Sequence, residues 1–510
     1  MSRSIYSRLH RRFGPRPTGV HLRETVRARI EALKARFPVE SMHRRPGRPR
    51  ERLGRSAVVV GAGLGGITAG YMLANWFDVT VLEASDRVGG RTYSRADFTS
   101  GRTIEFGGEL IGWNHPLWLH LAEELELGLS MITDEASFEA MGLATPTRIG
   151  GRDLGADEAE HMYEEMSAAL AVMNADAATL TDPYAPWLAP RAAEWDARPL
   201  ADFIAAARVS DLAKAGLVAQ FSNNNGVAPA AQSYLANLAN VAGAAMWDHR
   251  NMNSFWDDLE VARCSQGNQA LSEALRARID ATEHCRVRTG APVRAIEIGD
   301  AGVAVTVDGG ERLTADFVVL AAPPTVWSKI QVTPAISLAP QMGTIVKYLS
   351  DVDRRLWLRA GKNPMALDDQ VGMLWEGSDN QIGGPGLELT LFAGGAAARA
   401  AIAAPDPRAY FDAAIERIYP GYTQQRTRTE FMDWEAQPWT RGGYSCPAPK
   451  QVTTVMRALN EAHHGRLFFA GEHASAPFFG FMEGALQSGL LAALRVLERA
   501  GVHPSPRVAA

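Results

Sequence analysis

Glycines at 61, 63 and 66 follow the apolar run Ala57–Val60, and an acid, Glu83, stands 17 residues beyond the last of them. This grouping suits a dinucleotide. Gly61 permits a tight turn, Gly63 lets a pyrophosphate approach the backbone, and Gly66 lets the next helix pack on its strand. The helix start then offers free N–H groups and the positive end of its dipole to the phosphates. Glu83 would accept hydrogen bonds from both ribose hydroxyls and repel a 2′-phosphate, which favours NAD or FAD over NADP. Gly89, Gly90 and Arg91 come next: a second close backbone approach with a fixed cation for phosphate. A simple NAD enzyme has no obvious use for that second approach.

The elements that must position these residues are visible in the pattern. "AVVV" reads as a buried strand, "GAGLGG" as a turn, "ITAGYMLANW" as a helix and "DVTVLEA" as a second strand. Residues 115–250 are mostly helical in pattern, with alanine-rich stretches. Strand patterns return at 286–322, where "ADFVVLAAPP" is a buried strand, and again at 340–395. A helix follows at 407–417, and a closing helix starts near Met482. The fold class expected is α/β: a Rossmann-like dinucleotide domain interleaved with an α+β domain, preceded by an N-terminal helical arm. In that arm Val26, Ile30, Leu33 and Phe37 recur at helical spacing. "RRPGRPRERLGR" reads as a linker, and "AGGAAARAAIAAP" as a low-complexity tract.

At 510 residues the chain exceeds one hydrophobic core, so at least two domains are expected. A net charge of -5 gives no nucleic-acid footprint. The three cysteines, Cys264, Cys285 and Cys446, match no metal-ligand spacing and suggest a reducing compartment. Leu235–Met246 is fairly apolar, but it is too short for a membrane span and is broken by Asn237 and Asn240. Arg11 and Arg12 lack a following apolar core, so no secretory signal is expected and the cytoplasm is the default.

The stretch "VVVGAGLGGITAGYMLANWFDVTVLEASDRVGGRTYS" resembles the N-terminal signature of the flavin-containing amine oxidases. "EFGGELIG" at 105–112 and "LFFAGEHASAPFFGFMEGALQSG" at 467–489 resemble that family's later motifs. The resemblance implies FAD and divides the chain. A helical arm and linker take 1–54. Three parts of an FAD-binding domain take 55–114, 252–330 and 440–500. A helical funnel segment takes 115–251, a substrate-domain sheet 331–439, and a tail 501–510. Implied cofactor contacts are Gly61, Gly63, Gly66, Glu83, Gly90, Arg91, Gly107, Gly108, Glu109, Val293, Trp434, Gly471, Glu472 and Met482. Among these, Glu472 matches the acid that accepts a ribitol hydroxyl. Met482 and Gly484 sit where the last helix begins, under the flavin edge that gains negative charge on reduction.

The same resemblance places Tyr444 and Phe481 as paired rings that form a slot for a slim amine, and Lys347 as the lysine that supports reoxidation by dioxygen. Covalent members attach the flavin through a cysteine where this chain has Gly443, so non-covalent FAD is expected. Many L-amino-acid oxidases keep a carboxylate-clamping arginine near the position of Leu110. Here Glu109 and Leu110 stand instead, so Arg263, Arg250 or Arg441 would have to clamp from another element. His473 is expected to be satisfied by backbone, and no metal or Ser/His/Asp set is expected. The expected reaction is oxidative deamination of an L-amino acid with release of ammonia and hydrogen peroxide. A monoamine or diamine substrate is the nearest alternative. A desaturase or another non-oxidase flavoprotein is the alternative of a different class. A homodimer that uses the arm remains open.

Overall fold

The computed structural model describes residues 19–39, 53–248 and 250–503. Helix α1 (Gly19–Arg36) is the expected arm. Ile30, Leu33 and Phe37 are buried in the same core as the dinucleotide sheet, so the arm packs on its own chain. The first part of the arm and most of the linker lie outside the described residues.

β1 (Ser56–Val60) is a run of valines with no polar alternation, and it forms a strand buried on both faces. The chain turns at Gly61, where φ is +103°, a conformation that glycine adopts without Cβ strain. It then enters α2 (Leu64–Leu73), every residue of which is buried. β2 (Asp78–Leu82) returns parallel to β1, with Ala57 beside Val79. The sheet is completed from far along the chain by β3 (Arg286–Arg288), β5 (Phe317–Leu320) and β10 (Leu467–Phe469), in the order β10-β5-β1-β2-β3. All of its pairings are parallel. β4 (Val293–Ile298) belongs to a smaller four-stranded sheet.

Helices α3 (Pro116–Glu124), α4 (Ala156–Ala177), α5 (Asp211–Asn225) and α6 (Tyr234–Met246) fill the stretch expected to be helical. Two short strands from that stretch, Thr147–Ile149 and Arg152–Asp153, instead extend a seven-stranded sheet. Its other members include β6 (Ile345–Val352), β7 (Gly372–Glu376), β8 (Leu387–Gly394) and β9 (Arg426–Asp433). The tract expected to be of low complexity folds as the helix Gly395–Ala403, as its alanine content favours. The closing helix α7 (Met482–Arg499) packs along α2. Gly489 allows this, because a Cβ there would lie 2.3 Å from the Gly65 carbonyl oxygen.

Candidate active site

One cavity of about 790 Å³ runs from the glycine turns to the seven-stranded sheet. At one end it is lined by Glu83, Ala84, Ser85, Pro292 and Val293; in the middle by Gly61, Gly63, Gly90 and Arg91; at the other end by Lys347, Trp434, Tyr444, Phe481 and Met482.

The dinucleotide end is a backbone cradle. A Cβ on Gly66 would fall 1.9 Å from the Gly61 carbonyl oxygen, so only glycine lets α2 sit on its strand. Gly63 caps α2 without a side-chain hydrogen bond and pairs with Gly89, so the two glycine turns lie against each other. Glu83 is buried. One of its oxygens accepts the Ala62 N–H at 2.7 Å, and the other accepts the Ser85 N–H and hydroxyl, each at 2.9 Å. A carboxylate has about four acceptor positions, so one remains for a ribose hydroxyl. Arg87, which the sequence did not single out, braces the second turn from 2.7 Å on the Gly90 carbonyl and stacks on Tyr93.

Arg91 and Glu472 meet each other. Nη1 of Arg91 donates to Glu472 at 2.7 Å and to the Gly443 carbonyl at 2.6 Å, joining the two ends of the chain. Glu472 also accepts the Ser445 hydroxyl at 2.6 Å and the Gly480 N–H at 2.8 Å. Burial pushes its carboxyl up, but Arg91, His473 and these donors outweigh burial and hold it below the ordinary value. Gly471 opens the turn that carries Glu472, at φ +121°.

Lys347 is buried in β6, as expected of a lysine with a task. Its Nζ lies 2.8 Å from Glu109 and 2.9 Å from the Glu105 carbonyl. The other Glu109 oxygen takes Arg263 Nε at 2.6 Å and the Trp375 N–H at 2.9 Å. Glu109 is thus a shared anion between two buried cations. This corrects the placing of Arg263 as a substrate contact. It is 1% exposed, its donors go to Glu109 and to the carbonyls of Glu376 and Asp379, and it does not line the cavity. Arg250 is spent on the carbonyls of Ala178 and Leu180, and neither it nor Arg441 lines the cavity. Leu110 does line it.

Gly107 and Gly108 pass the cofactor end closely; a Cβ on them would meet Trp434 at 3.1 Å and Met482 at 3.3 Å. Gly484 lets α7 begin against Phe478, whose carbonyl oxygen would lie 1.9 Å from a Cβ there. Tyr444 donates its hydroxyl to the Asn224 carbonyl, and its phenol is raised by burial and then by Glu260. Phe481 stands 5.7 Å from the His115 ring and 6.5 Å, edge to face, from Phe255. His473 departs from expectation: neither ring nitrogen has a partner, and burial pushes it down to about 4. It packs edge-on against Trp327.

The far wall comes mostly from the segment expected to form a funnel, but its residues were not singled out. Phe221, Asn224 and Asn225 from α5, Asn237 and Asn240 from α6, and Phe255, Leu259 and Glu260 line it, opposite Trp375 and Phe392 of the sheet. Its signal was the pair of asparagines that interrupts an apolar helix.

A sequence profile described as flavin containing amine oxidoreductase matches residues 64–497. The chain is 26% identical to nicotine dehydrogenase of Pseudomonas putida strain DSM 28022 / S16, over 86% of this chain and 87% of that one. It is 25% identical to an L-amino acid dehydrogenase of Synechocystis sp. strain ATCC 27184 / PCC 6803 / Kazusa, over 86% and 94%. Among solved structures, wild-type putrescine oxidase bound to putrescine superposes with a TM-score of 0.73 at 20% identity, covering 88% of this chain and 100% of that one. Cyclohexylamine oxidase from Brevibacterium oxydans IH-35A gives 0.72 at 23% identity, covering 87% and 99%.

Proposed function

The chain belongs to the flavin-containing amine oxidoreductase family, and on that premise we propose that it oxidises an amine without a carboxylate, using non-covalent FAD and dioxygen. When bound, FAD supplies the acceptor for the hydride that leaves the carbon bearing the amine. The protein does the rest. Glu83 and the two glycine turns would hold the dinucleotide, and Met482 with Gly107 and Gly108 would frame the ring system. Tyr444 and Phe481 wall the slot and orient a slim substrate. Lys347, fixed by Glu109 and the Glu105 carbonyl, keeps an N–H donor at this end for the oxygen step.

The observation that carries the substrate class is the make-up of the far wall, whose lining residues include no arginine or lysine. It presents Glu260 and four asparagines, and the arginines that would clamp a carboxylate lie elsewhere. An L-amino acid is the second reading, and the Synechocystis relative favours it. Peroxide release and oxygen uptake by the FAD-loaded protein, measured over amines and over L- and D-amino acids, decide between the two. A dye acceptor is run in parallel, because some relatives are named dehydrogenases. Amines are expected to respond. A response from amino acids alone overturns the reading, and no oxygen uptake with any substrate favours a non-oxidase flavoprotein. Gly443 supports non-covalent attachment, since a Cβ there would meet Ile345 at 2.4 Å. Acid precipitation should leave the yellow colour in the supernatant.

A further inference from the structure

The dinucleotide end of the cavity is walled in part by a parallel sheet and by α2, a helix buried along its whole length. Elsewhere its wall consists of two loop segments that face each other. The chain leaving β5 passes the first glycine turn, where a Cβ on Gly61 would lie 3.1 Å from the Ala321 carbonyl carbon. It then forms the short helical turn Pro324–Lys329. The chain leaving β9 forms a strap over 434–443, which ends at the Gly443 carbonyl held by Arg91. Val326, Lys329 and Ile330 from the turn and Gln437, Trp439 and Thr440 from the strap all line the cavity.

Three side-chain contacts join the two segments. The Thr325 hydroxyl donates to the Thr440 carbonyl. Lys329 Nζ donates to the Pro438 carbonyl at 2.8 Å and lies 5.0 Å from the centre of the Trp439 ring. Among the described residues no backbone–backbone hydrogen bond crosses between them. The turn is the fixed side. Trp327 anchors it, through an indole N–H on the Ala322 carbonyl at 2.9 Å and by packing on Phe469 and His473. The strap is rooted at its ends, where Glu435 accepts the Thr344 hydroxyl at 2.6 Å and the Gly443 N–H reaches the Gly343 carbonyl at 2.9 Å. Its middle closes on itself, with the Arg441 N–H on the Gln437 carbonyl at 3.0 Å, and Pro438 and Arg441 are exposed.

A backbone ladder opens only with the fold, whereas side-chain contacts at half-buried positions part locally. A dinucleotide enclosed here without a covalent bond needs such a place to pass. Resting on the non-covalent FAD of the proposed function and not on its substrate, we propose that this seam is the gate for FAD entry and release, with Lys329 as its latch. A cation that sits on both an indole face and a carbonyl is attracted to each, and both contacts can re-form once the cofactor is inside.

The test loads the full-length protein with radiolabelled FAD, adds excess unlabelled FAD and follows the label left on the protein. Lys329→Met should speed label loss about tenfold, and Lys329→Arg, which can still donate and stack, should stay within about twofold of the parent. Thr325→Val is the sharper variant, because Thr325 does not line the cavity. It should speed label loss about threefold. Amide hydrogen exchange in the loaded variant should rise across 436–442 while β1 and β5 stay protected. Unchanged label loss in Lys329→Met or in Trp439→Leu overturns the gate. So does faster loss in Lys329→Met with no change in Thr325→Val, which marks a lost cofactor contact. Hydrogen exchange that rises in β1 and β5 as well marks a loosened fold and overturns it too. Label that stays on acid-precipitated protein instead refutes non-covalent FAD, and the gate with it. Where one variant does not fold, the others decide.

Discussion

At the scale of single residues, Glu109 decides the most. It holds Lys347 and Arg263 together in a buried site, so removing its charge strands two cations. Glu109→Gln should cost about 3–5 kcal/mol of stability, read by urea unfolding. Lys347→Met removes a cation that Glu109 then lacks, yet leaves the cradle untouched. It should retain FAD absorbance and slow oxygen consumption by about a hundredfold, the scale of a positioned proton-handling group. Unchanged oxygen kinetics would remove Lys347 from its role. The lysine could be read from sequence because the surrounding strand is apolar. The partner arrangement could not, since Arg263 and Glu109 are 154 residues apart and either could have faced substrate.

At the scale of elements, the strand–turn–helix unit was legible in kind, though the helix runs Leu64–Leu73 and stops before Trp76, because Gly61 and Gly66 answer local steric demands. Gly66→Ala should abolish FAD binding, seen as loss of the visible absorbance band, since the added Cβ would strike the Gly61 backbone carbonyl, which cannot swing aside like a flexible side chain. The short strand pair at 147–153 was not legible: its stability comes from Leu367 and Asp368, which are distant in sequence. Nor was the purpose of α1. Arg29 on that helix is 2% exposed and pairs with Asp258 at 2.7 Å and Asp248 at 3.1 Å, and Asp258 lies two residues before Glu260. Arg29→Ala should therefore raise KM about tenfold while FAD affinity holds, because small displacements of a positioning wall are costly. A parallel loss of FAD would show that the helix merely supports the fold.

Across the whole molecule, burial of acids and imidazoles sets opposing pH trends. Glu388 is pushed up to about 8 by burial and then by Glu109, with Lys347 and Arg263 opposing. Its folded value lies above the ordinary one, so it costs nothing at low pH and becomes destabilising as pH rises from about 4.5 towards 8. Glu388→Gln should thus gain Tm relative to the parent between pH 5 and pH 8.5. A difference that stays flat with pH would contradict this. His115 and His473, pushed down to about 3 and 4 by burial, act oppositely: stability falls as pH drops below their ordinary 6.5. Among the described residues, no helix is long and apolar enough to cross a membrane. The order β10-β5-β1-β2-β3 has one more consequence, for synthesis. A nascent chain still threaded through the ribosome at residue 460 has the glycine turns but lacks the final strand, Glu472 and α7. Cofactor capture must therefore wait until β10, Glu472 and α7 have emerged, and until then the half-built sheet exposes the edge of β5, a natural client for chaperones.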